Sequence, residues 1–330
     1  MNLKKFYKNK RVLITGHTGF KGTWLTQVLL ELGSIVYGVS LSKKKFHSIY
    51  FDSLNLKNKI EDRRFDICNF DKINNLINKT KPDLIFHLAA QSILSKSIND
   101  PYNTFKTNYI GILNLLESLR NINHKCSIVI VTSDKVYENN NWIWGYREND
   151  ILGGDDPYSA SKSSSEILIN SYFKTFLSKK NNINISSARA GNVFGGGDWS
   201  ADRLIPDILK SYFGKKILRI KNPYSTRPWQ FVLEPINGYL KLGLNNYLRK
   251  NLNGESFNFG PTNNSHIDVI TILKKFRKIY PDLDFSISKN NANLEKHFLS
   301  LNSEKAINKL GWTPKLSIDE SIKLTSDWYY

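Results

Sequence analysis

An aspartate and a lysine stand side by side in the stretch VTSDKVY, residues 131–137, where the apolar run SIVIV ends. A carboxyl group beside an amine can give a proton to one atom of a substrate while the amine acts on another. Ser133 precedes the pair, and downstream YSASK sets Tyr158 and Lys162 four residues apart, on one face of a helix. An ammonium near a phenol favours the phenolate, so Tyr158 and Lys162 can take a proton from an alcohol as it is oxidised. Alone, Asp134-Lys135 would read as an ion pair at a strand end, and a Tyr/Lys pair at this spacing is common on helix surfaces. The surrounding elements decide between these readings.

Short apolar runs alternate with amphipathic stretches along the first half of the chain. Residues 11–15, 35–39, 83–88, 128–132 and 183–188 read as strands, and residues 24–32, 104–119 and 159–177 as helices. Strands separated by helical periods of this length require crossover connections, hence a doubly wound parallel α/β sheet of the Rossmann type. After Arg189 the chain becomes Gly-rich and Pro-punctuated, with GGGDW from Gly195 and Asn222-Pro223. Residues 1–190 are therefore expected to form the dinucleotide-binding domain, its sheet completed from within 227–260 near FNFG at Phe257. Residues 191–330 are expected to form mainly a smaller C-terminal substrate-binding lobe over the strand ends, where open α/β sheets bind ligands.

Strand RVLIT runs into GHTGFKG from Gly16 and then a helix. Glycines there let the backbone approach a diphosphate, and the helix start offers free N–H groups to it. The second strand should end in an acid to grip the adenosine ribose of NAD, but it runs into SLSK at Ser40. NADP is therefore not excluded, since Lys43 could meet a 2′-phosphate. Asp66, in RRFDI from Arg63, could accept from an adenine amino group or cap the helix before Ile73.

With 330 residues and 40% hydrophobic content the chain can bury an α/β core and a second lobe. Its formal charge of +18 comes from scattered Lys beside Asn and Ile, as in KKNNINI from Lys179, rather than from one basic and aromatic stripe, so no nucleic-acid partner is expected. The run Lys43-Lys44-Lys45 reads as a loop with no role of its own. Cys68 and Cys126 lack metal-site spacing, and His266 and His297 have no partner spacing, so no metal is expected. The run VLI from Val12 is too short for a signal core and no apolar run approaches membrane-spanning length, so a cytoplasmic protein is expected with no membrane partner.

Taken together, TGxxGxxG from Thr15, HLAAQ from His87, Thr107-Asn108, Ser133, and Tyr158 with Lys162 resemble the extended short-chain dehydrogenase/reductase family over nearly the whole chain. Within it, GHTGFKGTWL from Gly16, TSDKVYEN from Thr132, WxWGYRE from Trp142, RAGNVxGGGDW from Arg189, DRLIPD from Asp202 and RPWQxVLEP from Arg227 are similar to sugar-nucleotide 4,6-dehydratases of the cytidine type. The thymidine type carries Asp-Glu where this chain has Asp134-Lys135, and epimerases have no acid/base pair there.

The resemblance implies a redox-neutral loss of water from a nucleotide sugar. It places NAD against Gly16, Thr18, Gly19, Phe20, Gly22, Asp66, Ile67, Leu88, Ala89, Ala90, Asn108, Tyr158 and Lys162, with Asn108 tied to a helix kink and a proton relay. Ser133, Asp134, Lys135, Tyr158 and Lys162 are the implied catalytic set, and Gln91, Ser133, Asn192, Arg203, Leu204 and Arg227 the implied substrate contacts. Asp134 is the implied acid for the 6-hydroxyl. Lys135 acts at C5, as a neutral base or as a cation beside the enolate. Trp199 and Trp229 read as packing residues. A homodimer through a four-helix bundle of the 104–119 and 159–177 helices is implied, with a further pairing to a tetramer open, as is a place in surface-polysaccharide deoxysugar synthesis. Two departures stand out. QSILSKSI from Gln91 lacks the family's usual basic and aromatic residues, which bears on sugar-side contacts, and Asn302 replaces a more usual Asp, which bears on packing.

Overall fold

Apolar side chains on both sides give the central strands two buried faces, and seven strands, the charged edge strand among them, pair in one parallel sheet of the computed structural model, which describes residues 2–42, 49–248, 250–261, 267–288 and 298–330. The strands are β1 (Arg11–Thr15), β2 (Ile35–Ser40), β3 (Glu61–Arg64), β4 (Leu84–His87), β5 (Cys126–Val131), β6 (Ile183–Ala190) and β7 (Ser256–Phe259). Their order is β7-β6-β5-β4-β1-β2-β3. The chain winds outward from β1 to one side and then from β4 to the other, so the direction reverses between β1 and β4. This is the crevice where a doubly wound sheet takes a ligand.

Period-2 alternation divides the side chains cleanly. Val12 and Ile14 of β1 join Leu25, Leu29, Phe86, Ile236, Leu240 and Trp312 on one face. Leu13 joins Ile85, Ile128, Ile130, Ile73, Leu115 and Ile169 on the other. The helices of these layers include α1 (Phe20–Glu31), α2 (Phe70–Thr80), α3 (Gly111–Arg120), α4 (Pro157–Tyr172) and α5 (Leu233–Leu248). A third core, separate from the sheet, gathers Phe194, Ile205, Leu209, Trp229, Ile272, Leu273 and Phe276 into the smaller lobe. The C-terminal half is thus shared, because α5, β7 and Trp312 pack on the sheet while the segments between them build the lobe.

Two helices differ from the sequence reading. The 104–119 period is interrupted: helix Pro101–Phe105 passes through a wide π turn, Lys106–Ile110, before α3. Likewise α4 ends in a π turn at Phe173–Leu177. Such a turn inserts one residue into the helical ladder and re-aims the side chains within it. Lys43–Lys45, His266 and His297 lie outside the described residues.

Candidate active site

All seven strands run the same way, so the segments that follow β1, β4, β5 and β6 emerge on one edge. Thr15 pairs in register with His87, His87 with Ile130, and Val131 with Ala188. The Gly16 turn, Leu88 to Gln91, the 132–135 tip and Asn192 are therefore neighbours before any side chain is considered.

At the β1 end, Gly16 has φ +76°, and a Cβ on it would lie 2.7 Å from the Ala89 backbone N. A Cβ on Gly22 would lie 2.1 Å from Gly16 O. These positions are closed to side chains by backbone, not by choice of rotamer. Gly19 caps α1 without any side-chain bond, which leaves the first N–H groups of the helix free for an anion, beside Thr18 and Phe20. The turn fits the diphosphate of a dinucleotide. Ser40 is buried and accepts from Thr18 N at 3.3 Å, while its Oγ lies 3.1 Å from His17 Nδ1. His17 Nε2 lies 2.9 Å from Asp62 Oδ1, and Arg64 donates to the other oxygen, Oδ2, from Nε at 3.0 Å and Nη2 at 2.8 Å. The acid sought at the end of β2 is thus supplied to the neighbourhood by β3 and is already paired.

Asp66 is exposed, and its Oδ1 accepts from Cys68 N at 2.9 Å. The cap of α2 is Asn69, whose side chain accepts from Lys72 N, so Asp66 does not cap that helix. Ile67 is buried against Gly111.

Asn108 lies inside the π turn, fully buried. Its amide donates to Gln91 O at 3.0 Å and to Ser161 Oγ at 2.9 Å, and its Oδ1 accepts from Gln91 N at 2.8 Å. It therefore ties the segment after β4 to α4. Gln91 spends its own amide within this loop, donating to Ile93 O at 3.0 Å and Thr104 Oγ1 at 3.1 Å and accepting from Ile93 N at 2.7 Å.

At the β5 tip, a short 3₁₀ turn, Asp134–Val136, carries the acid and the lysine. Ser133 Oγ donates to Asp134 Oδ1 at 3.0 Å, and Lys135 Nζ lies 3.5 Å from the same oxygen. Asp134 Oδ2 is buried with no partner among the described residues. The Asp134 side chain keeps 2% of its surface exposed and Lys135 27%, so the two differ in access to water. Tyr158 and Lys162 are buried on α4. Burial pushes Tyr158 up to about 12, with the Ser133 hydrogen bond and the Arg203 charge pulling the other way. Burial pulls Lys162 down to about 8, opposed by the charge of Glu166. In this resting arrangement burial outweighs the help that an ammonium gives a phenolate.

A cleft is lined by Asp134, Lys135, Tyr137, Ser159 and Arg227 among others. Arg227, on the short strand Thr226–Arg227, is buried and reaches this cleft from nearly a hundred residues away in the chain. Arg203 donates to Asp198 Oδ2 at 3.1 Å and to Ser92 Oγ at 2.9 Å, immediately before the helix Leu204–Phe213 that begins with Leu204. Asn192 leaves its Oδ1 buried without a partner. Trp229 packs on Phe194 and donates to Ile267 O at 3.0 Å, and Trp199 packs edge-on to Tyr329.

Three charged groups in this region were not picked out from the sequence. Lys21 is partly buried and pulled to about 7, first by desolvation and then by the charges of Arg203 and Lys162. Burial pulls His87 down to about 3, with Lys162 adding to the effect. Glu166 sits one turn beyond Lys162, a spacing visible in the sequence but common on any helix. Among the described residues no group of His, Cys, Asp and Glu could hold a metal ion, and no helix is long and apolar enough to cross a membrane.

Known proteins resemble this chain in sequence and in fold. The CDP-glucose 4,6-dehydratase of Salmonella typhimurium is 40% identical over 331 residues, covering 99% of this chain and 92% of that one. The dTDP-glucose 4,6-dehydratase of Haemophilus influenzae is 24% identical over 96% of this chain and 97% of its own. Among solved structures, an epimerase from Methanothermobacter thermautotrophicus superposes with a TM-score of 0.84 at 25% identity, over 100% of this chain and 94% of that one. The dTDP-glucose 4,6-dehydratase of Bacillus anthracis, solved in complex with NAD, has the same fold at a TM-score of 0.78 and 20% identity, over 97% of this chain and 96% of that one. The model of the GDP-mannose 4,6 dehydratase family matches residues 13–325, and the chain belongs to that family, within the sugar-nucleotide dehydratase group of the extended short-chain dehydrogenase/reductases.

Proposed function

We propose that this protein is an NAD-dependent CDP-glucose 4,6-dehydratase, converting CDP-D-glucose to CDP-4-dehydro-6-deoxy-D-glucose and water. The observation that carries the reading is the β5 tip, where a buried carboxylate with one unpartnered oxygen adjoins a half-exposed lysine in a cleft. An epimerase, which only oxidises and re-reduces C4, has no use for such a pair. The cytidine preference is supported by the 40% identity to the Salmonella enzyme.

Gly16, Thr18, Gly19, Phe20 and Gly22, with Asp66, Ile67, Leu88, Ala89, Ala90 and Asn108 along the crevice, would hold NAD, which would supply a reversible hydride acceptor for the chemistry at C4 and C6. Tyr158, as the phenolate that the Lys162 ammonium favours, takes the proton of the C4 hydroxyl and becomes the phenol, and Ser133 orients that hydroxyl. The C4 ketone acidifies the C5 proton. Lys135 acts at C5 while Asp134 delivers the proton with which the 6-hydroxyl leaves as water. Arg203 and Arg227 offer guanidinium groups to the substrate diphosphate, with Asn192, Leu204 and Gln91 around the rest of the nucleotide sugar. NAD rather than NADP fits the buried Ser40 and the Asp62 beside it.

The product suits a later amino- or deoxysugar step toward surface polysaccharide, and a cytoplasmic location follows from that role. Exposed Tyr102, Phe105, Ile110 and Ile167 on the Pro101–Arg120 and α4 faces support a homodimer through paired helices.

Asp134→Asn and Lys135→Ala test the assignment. Both variants should still reduce enzyme-bound cofactor with CDP-glucose in a single turnover, while elimination falls by on the order of a hundredfold. Undiminished 6-deoxy product from either would contradict the assigned roles.

A further inference from the structure

We propose that Glu166 is a positioning residue that fixes the β5 tip against the helix carrying Tyr158 and Lys162. The inference rests on the dehydratase reading and extends it to a group that touches neither substrate nor cofactor.

The reaction needs two pairs of groups to meet one sugar ring, and the pairs come from different elements. Ser133, Asp134 and Lys135 follow β5, whereas Tyr158 and Lys162 lie on α4. Misplacement by an ångström is enough to slow such chemistry about a hundredfold. Asp134 and Lys135 do little to anchor themselves, because one carboxylate oxygen has no partner and the lysine is half-exposed. Their placement must come from the residues on either side.

Both sides lead to Glu166. Thr132, immediately before Ser133, donates to Glu166 Oε1 at 2.5 Å. Arg189 of β6 grips the same carboxylate with Nε and Nη2, each at 3.0 Å, and Ser187 donates to it at 2.8 Å. The remaining arm of Arg189 donates to Tyr137 Oη at 2.8 Å, and Tyr137 lines the cleft just past the tip. The tip is thus bracketed at 132 and at 137, and both brackets converge on one carboxylate four residues beyond Lys162.

Glu166 is 4% exposed and Arg189 3%, so the pair is a deeply buried ion pair. Such pairs are seldom the best way to add stability, since apolar residues of the same volume often do as well. A buried network with its donors and acceptors satisfied does hold one geometry against alternatives. Although burial opposes its charge, Arg189 and the hydroxyl donors hold the Glu166 carboxyl below the usual carboxylate range. That charge also bears on Lys162, which faces Tyr158 and Glu166 on its own helix, His87 from the end of β4 and Lys21 from α1.

Two variants separate the parts of this role, assayed as NAD-loaded protein with CDP-glucose. Thr132→Val cuts the tie to the tip and leaves the ion pair. It should lower kcat by about tenfold or more, with KM within about twofold and the pH profile in place. Glu166→Gln removes the charge as well. It should also lower kcat, and the rising limb of the C4-oxidation rate should move by about one unit to lower pH, because the Tyr158/Lys162 pair then gives up its first proton more readily. Unchanged kcat in folded Thr132→Val would overturn the proposal, and that variant decides alone if Glu166→Gln does not fold. Reduced thermal stability with kcat per active site unchanged would also overturn it, since the network would then serve only the fold. Wild-type protein inert toward CDP-glucose would instead contradict the dehydratase reading itself.

Discussion

Asp134 and Glu166 are both buried carboxylates within reach of a cation, yet their surroundings treat them in opposite ways. Glu166 has both oxygens filled by Thr132, Ser187 and Arg189, which leaves it nothing to exchange. Asp134 keeps Oδ2 empty, so a proton there has somewhere to go only when substrate arrives. The same contrast runs through the second pair. Tyr158 and Lys162 share burial, which raises one to about 12 and lowers the other to about 8. Such neighbours titrate as a unit, and its first proton loss is expected near the lower value. The form with the remaining proton on Lys162 and the phenolate on Tyr158 is the one that accepts from an alcohol. The rate of C4 oxidation, followed as cofactor reduction in a single turnover, should therefore rise with pH up to about 8 and then level off. A flat profile from acid to neutral pH would argue that Tyr158 is not the base. Asp134-Lys135 and Tyr158/Lys162 were legible in the sequence because their chemistry is unusual for their settings. Glu166 was not, since an acid one turn past a lysine is ordinary on a solvated helix and only burial distinguishes it.

Elements place these residues through backbone contacts that side chains cannot replace. Gly22 lies within α1, where alanine would ordinarily gain about 1 kcal/mol in helix propensity. A Cβ there would sit 2.1 Å from Gly16 O, a backbone atom with no rotamer to yield. The clash outweighs the propensity, and overpacking of this kind costs about 1–3 kcal/mol or more. Gly22→Ala should lower the thermal stability of the protein and weaken NAD binding, read by thermal unfolding with and without the dinucleotide. A stabilised variant with unaltered binding would mean that the turn does not approach a ligand as closely as its geometry indicates. Most of the sheet followed from apolar periodicity, with β1 found at its observed bounds. Strand β3 escaped because EDRR is charged along its length, as an edge strand tolerates, and its Asp62 went unnoticed with it. The π turn at Lys106–Ile110 left no trace in the periodicity, since hydrophobic spacing of 3.6 residues barely registers one inserted residue, and only the kink that the resemblance attaches to Asn108 pointed to it. That turn matters because it carries Asn108 inward to meet both Gln91 and Ser161.

Across the whole molecule, the cleft draws on a chain that crosses between the sheet and the smaller lobe. Arg227 belongs to the part of the chain that builds the smaller lobe, yet it lines the same cleft as Asp134 and Lys135 from the sheet. The sequence pattern indicated a second lobe from its glycines and prolines and a strand near Phe257 that completes the sheet, as β7 does, but not that Trp312 packs back on it. Strand β7 closes the β6 side of the sheet and supplies Ser256 to the network around Glu166, with Ser256 Oγ donating at 3.3 Å. Of the many cations behind the charge of +18, Lys162 and Arg189 are buried and Lys21 is partly so, and all three belong to the site or its support. The central claim is that this arrangement removes water across C5 and C6 of a cytidine-linked glucose. Proton NMR of the purified protein in D2O with CDP-glucose and catalytic NAD, beside UDP-, dTDP- and GDP-linked sugars, tests it most directly. A new C6 methyl signal from the cytidine substrate alone, its doublet collapsed by deuterium at C5, is the predicted result. Inversion at C4 with no methyl signal, or a methyl signal from another nucleotide sugar instead, would contradict it.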